Sequence, residues 1–282
     1  MNRSTTICVC GAGTMGSGIA QVCAQSGFAT ILFDVNEDMI VKSRSGLNER
    51  LQLLLQKEKI DAAEKEQIIR RLSFTSIINE CKADIIIEAI SEQKKAKLDL
   101  FNQLTLINSP QTIFATNTSS ISISEIAKEI DHPSQLIGMH FFNPAPIMKL
   151  VEIIKTDKTN ASVVETIISF TKQLNKIPVL CNDAPGFIVN RVARHYYLEA
   201  MKLLEAGLAD IETVDTVMEA SGFKMGPFKL MDLIGIDINY SVSKIVWEAL
   251  DKPERLKPSH IQQQKVTEGA LGRKSGKGFY QY

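Results

Sequence analysis

The sequence predicts an α/β fold: a doubly wound parallel sheet carrying an inserted helical arm, followed by an all-α C-terminal domain. Three observations predict it. A short apolar strand, 7–10, runs straight into the turn Gly11-Ala12-Gly13-Thr14-Met15-Gly16. Up to about residue 182, short apolar runs alternate with amphipathic helical stretches, as in a parallel sheet with crossover helices. After Asp183-Ala184-Pro185-Gly186 the strand signals stop and helical patterns follow. This places a domain boundary there, giving domains 1–183 and 184–282.

The opening turn has G-x-G-x-x-G spacing. Gly11 allows the tight turn, Gly13 lets the backbone approach a pyrophosphate, and Gly16 lets the next helix pack on the strand. The pyrophosphate would sit on the helix N-terminus, where unpaired N–H groups and the positive dipole end point at it. A second apolar run, 29–33, closes at Asp34, placed to accept hydrogen bonds from a ribose diol. Val35-Asn36 follow and supply no counter-charge for a 2′-phosphate, which argues for NAD over NADP. The first domain is therefore expected to be of Rossmann type.

The elements follow in order. After the strand at 29–33, Leu47, Leu51, Leu54 and Leu55 form a helical stripe running to Lys59, and Asp61-x-x-Glu64 is a capping-box pattern opening a second helix through Leu72. This pair exceeds a minimal crossover and reads as an arm projecting from the sheet. Further strands are expected at 84–88, 112–116, 136–140, 149–155 and 177–181. In the second domain helices are expected over 187–206, 211–221, 228–250 with a break at Gly235, and 259–268. Gly207 and Gly222 mark helix ends, and Asp210 and Asp237 are the expected N-caps.

Composition narrows the function. Basic and acidic residues balance at 32 each and no basic stripe stands out, which argues against nucleic acid as a partner. No apolar run approaches the length of a membrane span. Residues 1–6 lead into the first strand without an apolar leader, so a cytoplasmic protein is expected. Cys8, Cys10, Cys23, Cys81 and Cys181 have neither metal nor redox spacing, and no histidine pair has ligand spacing, so no metal is predicted.

Ligands of open α/β sheets sit beyond the carboxyl ends of the strands. Two polar segments fall on that edge. The strand at 112–116 runs into Asn117-Thr118-Ser119-Ser120, and Ser122-x-x-Glu125 then caps a helix, which leaves Ser119 in a short loop. The strand at 136–140 ends at His140, and the prolines of Phe141-Phe142-Asn143-Pro144-Ala145-Pro146 forbid a helix after it. Glu152 interrupts the returning apolar strand. A carboxylate so placed needs a partner, and His140 is the nearest by topology.

These segments, with Lys149-Leu150-Val151-Glu152, Pro185-Gly186-Phe187-Ile188-Val189-Asn190-Arg191, Met225-Gly226-Pro227 and Gly272-Arg273-Lys274-Ser275-Gly276-Lys277-Gly278-Phe279-Tyr280, resemble in order the motifs of the 3-hydroxyacyl-CoA dehydrogenases. The length resembles the 3-hydroxybutyryl-CoA type. The resemblance implies a His140–Glu152 pair in which His140 is the general base and Glu152 holds the ring. Histidine suits the role because free imidazole titrates near neutrality. It implies that Ser119 and Asn190 bind the reacting oxygen and the thioester end, with Asn190 coming from the second domain so that the site closes between domains. It further implies NAD contacts at the Gly11–Gly16 turn, Asp34, Glu92, Lys97, Asn143 and Lys274, CoA contacts at Ser119, Arg50 and Lys57, an acyl-CoA substrate and a homodimer through the helical domain. One departure is Leu53, where some relatives carry an arm lysine.

The run Asn190-Arg191-Val192-Ala193-Arg194-His195 is closer to members acting on 3-hydroxyadipyl-CoA, which makes that the alternative substrate, with Arg194 as a candidate receiver of the distal carboxylate. Other readings are a dehydrogenase of free hydroxy acids, which uses a catalytic lysine, and a non-enzymatic cofactor-binding protein. The His140/Glu152 pair argues against both. In the segment 223–234, Phe223, Met225, Phe228, Leu230, Met231, Leu233 and Ile234 are expected to supply core or interface.

Overall fold

The computed structural model describes residues 5–282; Met1–Ser4, within the segment read as lacking a leader, lie outside the described residues. The chain divides into two compact units, 1–183 and 184–282.

The first unit is built on β1 (Thr6–Cys10), α1 (Thr14–Gln25), β2 (Ala29–Phe33), α2 (Glu37–Gln56), α3 (Ala62–Arg70), β3 (Leu72–Thr75), β4 (Ile85–Glu88), α4 (Lys94–Ile107), β5 (Ile113–Thr116), α5 (Ile123–Ala127), β6 (Leu136–Phe141), β7 (Leu150–Lys155), α6 (Ala161–Gln173) and β8 (Ile177–Asn182). The strands form one eight-stranded sheet in the order β3-β2-β1-β4-β5-β6-β7-β8. The order reverses between β1 and β4, the switch point where such sheets bind ligands. Ile7, Val9, Ile85, Ile87, Ala115, Ile137 and Ile153 from the strands, with Ile19 and Cys23 of α1 and Ile167 and Phe170 of α6, make a continuous core.

Two expectations in this unit need correction. β7 runs antiparallel to β6, because the connection 142–149 is too short for the crossover a parallel neighbour requires. The second arm helix ends at Arg70, and Leu72 opens β3, an edge strand absent from the sequence reading. Ile68 and Leu72 are four apart and mimic a helical face, which hid a four-residue strand. The helical pair is anchored at its base, while residues 52–67 beyond it include no buried side chain. Leu51, Ile68 and Ala24 of α1 form one buried cluster, flanked by Leu54 and Ile60.

The second unit contains α7 (Val189–Glu205), α8 (Ile211–Ala220), α9 (Pro227–Ile234), α10 (Ile236–Ala249) and α11 (His260–Thr267). Asp210 caps α8 by accepting from the Thr213 N–H. Asp237 is not an N-cap: it lies in the first turn of α10, and its carboxylate pairs with Lys274. In the segment 223–234, Phe228 and Met231 are core, whereas Phe223, Leu233 and Ile234 are exposed.

Two buried carboxylates explain the glycine motifs of this unit. Asp215 accepts from the N–H groups of Phe228 and Lys229 at the start of α9 and from the Tyr280 hydroxyl. Asp232 accepts from the N–H groups of Phe279 and Tyr280. A Cβ on Gly226 would lie 2.3 Å from Asp215 Oδ1, and one on Gly278 would lie 2.1 Å from Asp232 Oδ1.

Candidate active site

β1 ends in the glycine turn, and the structure separates the demands on its glycines. Gly11 has φ +106°, and a Cβ there would sit 2.5 Å from the Ala89 carbonyl oxygen. A Cβ on Gly16 would fall 1.8 Å from the Gly11 oxygen. At Gly13 a Cβ would meet no heavy atom within 4 Å, so the protein's own packing does not require glycine there. Gly13 is also the N-cap of α1 and offers no side-chain cap, so the first N–H groups of the helix are suited to an anion. Asp34, at the end of β2, accepts from the Ala12 N–H at 2.7 Å and the Asn36 N–H at 3.0 Å. The carboxylate is thus held against the turn. These features fit a dinucleotide.

On the same sheet edge, β6 delivers His140 and the antiparallel β7 delivers Glu152 in direct register with it. His140 Nδ1 and Glu152 Oε2 are 2.8 Å apart. Glu152 is 0% exposed, and the Phe142 ring lies 4.5 Å from the imidazole centroid to centroid. A carboxylate on Nδ1 holds the proton of neutral imidazole there and makes Nε2 the basic nitrogen. Antiparallel register is what brings two residues twelve positions apart into contact.

The loop after β5 carries Ser119. It is anchored by Glu92, whose Oε1 accepts from Thr118 Oγ1 at 2.6 Å, from the N–H groups of Ser119 and Ser120 at 3.0 and 3.2 Å, and from Ser120 Oγ at 2.9 Å. Lys97 lies behind Glu92 and is only 1% exposed. Its ammonium is 2.6 Å from Glu88 Oε1 and 3.1 Å from Glu92 Oε2. Glu88 closes β4 and also accepts from Thr116 Oγ1 and the Ile90 N–H. Burial would raise the Glu92 carboxyl, but the Lys97 charge and the Thr118 and Ser120 hydrogen bonds outweigh it and hold the group below its ordinary range. At Glu88 burial wins, and the group lies above that range despite Lys97. The Asn117 side-chain oxygen accepts from the Phe141 N–H at 2.8 Å, tying the Ser119 loop to the end of β6.

A cleft of about 340 Å³ opens beside α1, lined by Thr14, Gly18, Gln21, Arg50, Leu53, Leu54 and the 143–147 segment. Asn143 precedes a cis peptide bond to Pro144. Arg50 donates to Gln21 Oε1 at 2.9 Å and Ser17 Oγ at 2.7 Å. Burial lowers its guanidinium, against the pull of Glu49. Lys57 is the C-cap of α2 and exposed. In the second unit, Asn190 lies in the first turn of α7, and Lys274 is paired with Asp237 at 2.6 Å. Arg194 is buried, 3% exposed, and donates to the Asn190 and Asn239 carbonyls and Ser243 Oγ. Burial lowers it to about 10.

Among the described residues no cluster of His, Cys, Asp or Glu is arranged to hold a metal. The sequence reading missed Glu88, Asn117 and Lys176. Glu88 carried a signal, a carboxylate closing the all-apolar run Ile85-Ile86-Ile87; Lys176 carried none.

Residues 6–184 match the family model for the 3-hydroxyacyl-CoA dehydrogenase NAD-binding domain, and residues 186–282 match the model for its C-terminal domain. The chain is 44% identical over 279 residues to the 3-hydroxyadipyl-CoA dehydrogenase of Escherichia coli, a match covering 98% of this chain and 59% of that protein. The chain thus spans about three fifths of that relative's length. It is 38% identical to a probable 3-hydroxybutyryl-CoA dehydrogenase of Deinococcus radiodurans, with 97% of this chain and 99% of that one covered. The crystal structure of an (S)-3-hydroxybutyryl-CoA dehydrogenase from Ralstonia eutropha superposes with a TM-score of 0.95 at 35% identity, covering 99% of each chain. The eight-stranded sheet, the dinucleotide turn and the two domain matches agree: the chain belongs to the 3-hydroxyacyl-CoA dehydrogenase family.

Proposed function

We propose that the chain catalyses the reversible NAD-dependent oxidation of an L-3-hydroxyacyl-CoA to the 3-ketoacyl-CoA, with 3-hydroxybutyryl-CoA and acetoacetyl-CoA as its substrate pair. The observation that carries this reading is the 2.8 Å His140–Glu152 contact on the same sheet edge as the dinucleotide turn.

His140 is the general base. With the Nδ1 proton engaged by Glu152, Nε2 takes the 3-hydroxyl proton while the C3 hydrogen leaves with its electron pair. Bound NAD supplies the acceptor for that hydride. In the reverse direction the imidazolium returns the proton to the forming alkoxide. Glu152 orients the ring and offsets its positive charge, as the acid does in a catalytic triad. Ser119 and Asn190 hydrogen-bond the reacting oxygen and the thioester end, which fixes the geometry.

The Gly11–Gly16 turn cradles the pyrophosphate, Asp34 binds the ribose diol, and Glu92, Asn143 and Lys274 complete the cofactor contacts. Lys97 is buried and acts on that site through Glu92. Arg50 and Lys57 serve the CoA end, and Leu53, Leu54 and Ile147 give the cleft an apolar wall suited to a pantetheine arm. In this reading residues 1–183 bind NAD, and residues 184–282 carry Asn190 and form the homodimer, for which Val192, Val217, Leu233 and Ile238 supply exposed apolar surface. No helix among the described residues is long and apolar enough to cross a membrane. A cytoplasmic location is part of the same proposal.

The test is NADH oxidation with acetoacetyl-CoA and 3-ketoadipyl-CoA side by side, on the wild type and His140→Ala. Loss of about 10²–10⁴-fold in the variant supports the base. Absence of turnover of either thioester by wild type that binds NADH would refute the reading. The adipyl substrate is a second reading, favoured by the 44% identity to a 3-hydroxyadipyl-CoA dehydrogenase; Arg194, expected from sequence to receive the distal carboxylate, is instead buried and bonded to groups of its own helical unit. A kcat/KM with 3-ketoadipyl-CoA well below that with acetoacetyl-CoA would end it.

A further inference from the structure

The segment 143–148 forms one wall of the cleft, yet most of it lacks polar side chains of its own to hold it. Pro144, Ala145, Pro146, Ile147 and Met148 are all apolar. Its internal order comes from the Ile147 and Met148 N–H groups, both of which donate to the Pro144 carbonyl at 2.9 Å. Two contacts from outside fix where it lies.

The first comes from Lys176, just ahead of β8. Its ammonium donates to the Ala145 carbonyl at 2.6 Å and to the Met148 carbonyl at 2.7 Å. Lys176 is only 7% exposed, and both acceptors of its ammonium are neutral carbonyls. A buried ammonium normally keeps a carboxylate, because desolvation is costly and carbonyl dipoles offset it less fully. Burial, followed by the nearby Lys149, pulls this ammonium below the ordinary lysine range. The lysine root is itself fixed: the Lys176 N–H donates to the Thr171 carbonyl and the Ile177 N–H to the Lys149 carbonyl.

The second contact comes from α1. A Cβ on Gly18 would lie 3.2 Å from Pro146 Cδ and 3.3 Å from Ala145 Cβ. The segment is therefore gripped between a helix face kept bare by glycine and a buried cation. Its Asn143, Pro146 and Ile147 line the cleft with Arg50 and Leu53.

We infer that Lys176 is a positioning residue for the thioester site: by holding the Ala145 and Met148 carbonyls it sets the wall against which the CoA substrate packs. This deepens the proposed activity and rests on it. A donor is required for the grip because an apolar side chain of the same length would leave both carbonyls unsatisfied. Since Lys176 holds the Ala145 and Met148 carbonyls and not Asn143, the segment's proposed cofactor contact, it acts on thioester KM more than on NADH binding.

The experiment compares wild type, Lys176→Met, Lys176→Arg and Gly18→Ala, each checked for folding by circular dichroism and melting temperature. KM and kcat are measured with acetoacetyl-CoA, NADH affinity by nucleotide fluorescence, and CoA affinity by calorimetry. Lys176→Met is expected to raise KM and the CoA Kd about tenfold, with kcat and NADH Kd each changed less than about threefold. Lys176→Arg, which keeps donors for the carbonyls, should recover most of the loss. Gly18→Ala displaces the wall from the opposite face without burdening its helix and should raise KM in the same way. A folded Lys176→Met with wild-type KM and CoA affinity would overturn the inference, as would a parallel loss of NADH affinity. If Lys176→Met does not fold, Lys176→Gln, too short to reach both carbonyls, takes its place, and wild-type KM and CoA affinity in that variant would overturn the inference. If wild type turns over no thioester, the proposed activity fails, and CoA calorimetry still decides the role of Lys176.

Discussion

Replacing Glu152 by Gln removes a charge while keeping the shape of the buried side chain, so it isolates what the carboxylate does for His140. With Nδ1 and Oε2 at 2.8 Å, the centres of the two charges lie about 4 Å apart. At an effective dielectric constant near 20 the imidazolium would lose an attraction of about 4 kcal/mol. Mutational values for hydrogen bonds to charged groups are lower, about 1.5–3 kcal/mol. Taking about 2–4 kcal/mol off transition-state stabilisation predicts a fall in kcat of about 30- to 1000-fold. The assay is NADH oxidation at saturating acetoacetyl-CoA across a pH series. The fall should appear in kcat and not in KM for the thioester, because the lost interaction is made to the charged ring of the transition state. NADH affinity should not change, since Glu152 faces the ring and not the dinucleotide turn. A folded Glu152→Gln enzyme within threefold of wild-type kcat, or one whose NADH affinity falls in step with its rate, would refute the reasoning.

The other predictions rest on different contacts. Gly13→Ala should fold with an unchanged melting temperature and lose NADH affinity by about tenfold or more, whereas Gly16→Ala should be destabilised, because only the second Cβ meets protein atoms; isothermal binding and thermal melts separate the two. Lys97→Met leaves Glu88 buried without its cation and should cost about 3–5 kcal/mol at neutral pH in urea unfolding. Glu88 already lies above its ordinary range in the folded state. Its ionisation therefore opposes folding as pH rises through its folded value, and the variant should regain stability as pH is lowered below that point. Glu92 has the opposite sign: held below its ordinary range, it contributes stability above that range and loses it as pH falls through its folded value, which proteolysis of the Ser119 loop in acid would report. Leu51→Ala, at the buried junction of α2, α3 and α1, should lower stability by about 2–5 kcal/mol without altering kcat, measured by the same unfolding and turnover assays.

Much of the site is legible from local order along the chain. A glycine turn between an apolar strand and a helix, an acid at the end of the next strand, and a histidine closing a third each announce themselves over a few residues, because backbone geometry and strand ends are local properties. The pairing of Glu152 with His140 could also be expected, since an isolated carboxylate in an apolar strand must find a partner and only one strand end was near. What local pattern could not give was direction and depth. β7 reverses because its connection is short, and β3 was hidden by a spacing it shares with a helix. The base of the arm is fixed because Leu51 and Ile68 meet Ala24. Lys97 looks like any surface lysine of a helix until Glu88 and Glu92 are seen around it, and Asp237 looks like a cap until Lys274 is placed beside it. Lys176 is one lysine among many by sequence and a buried clamp by structure. The sequence by itself determined the fold class, the dinucleotide turn and the residue types at the sheet edge, because these follow from short-range periodicity and backbone permissions. Only the tertiary structure decided which charges are buried and what they hold, because burial is a property of segments far apart in the chain that come together in folding.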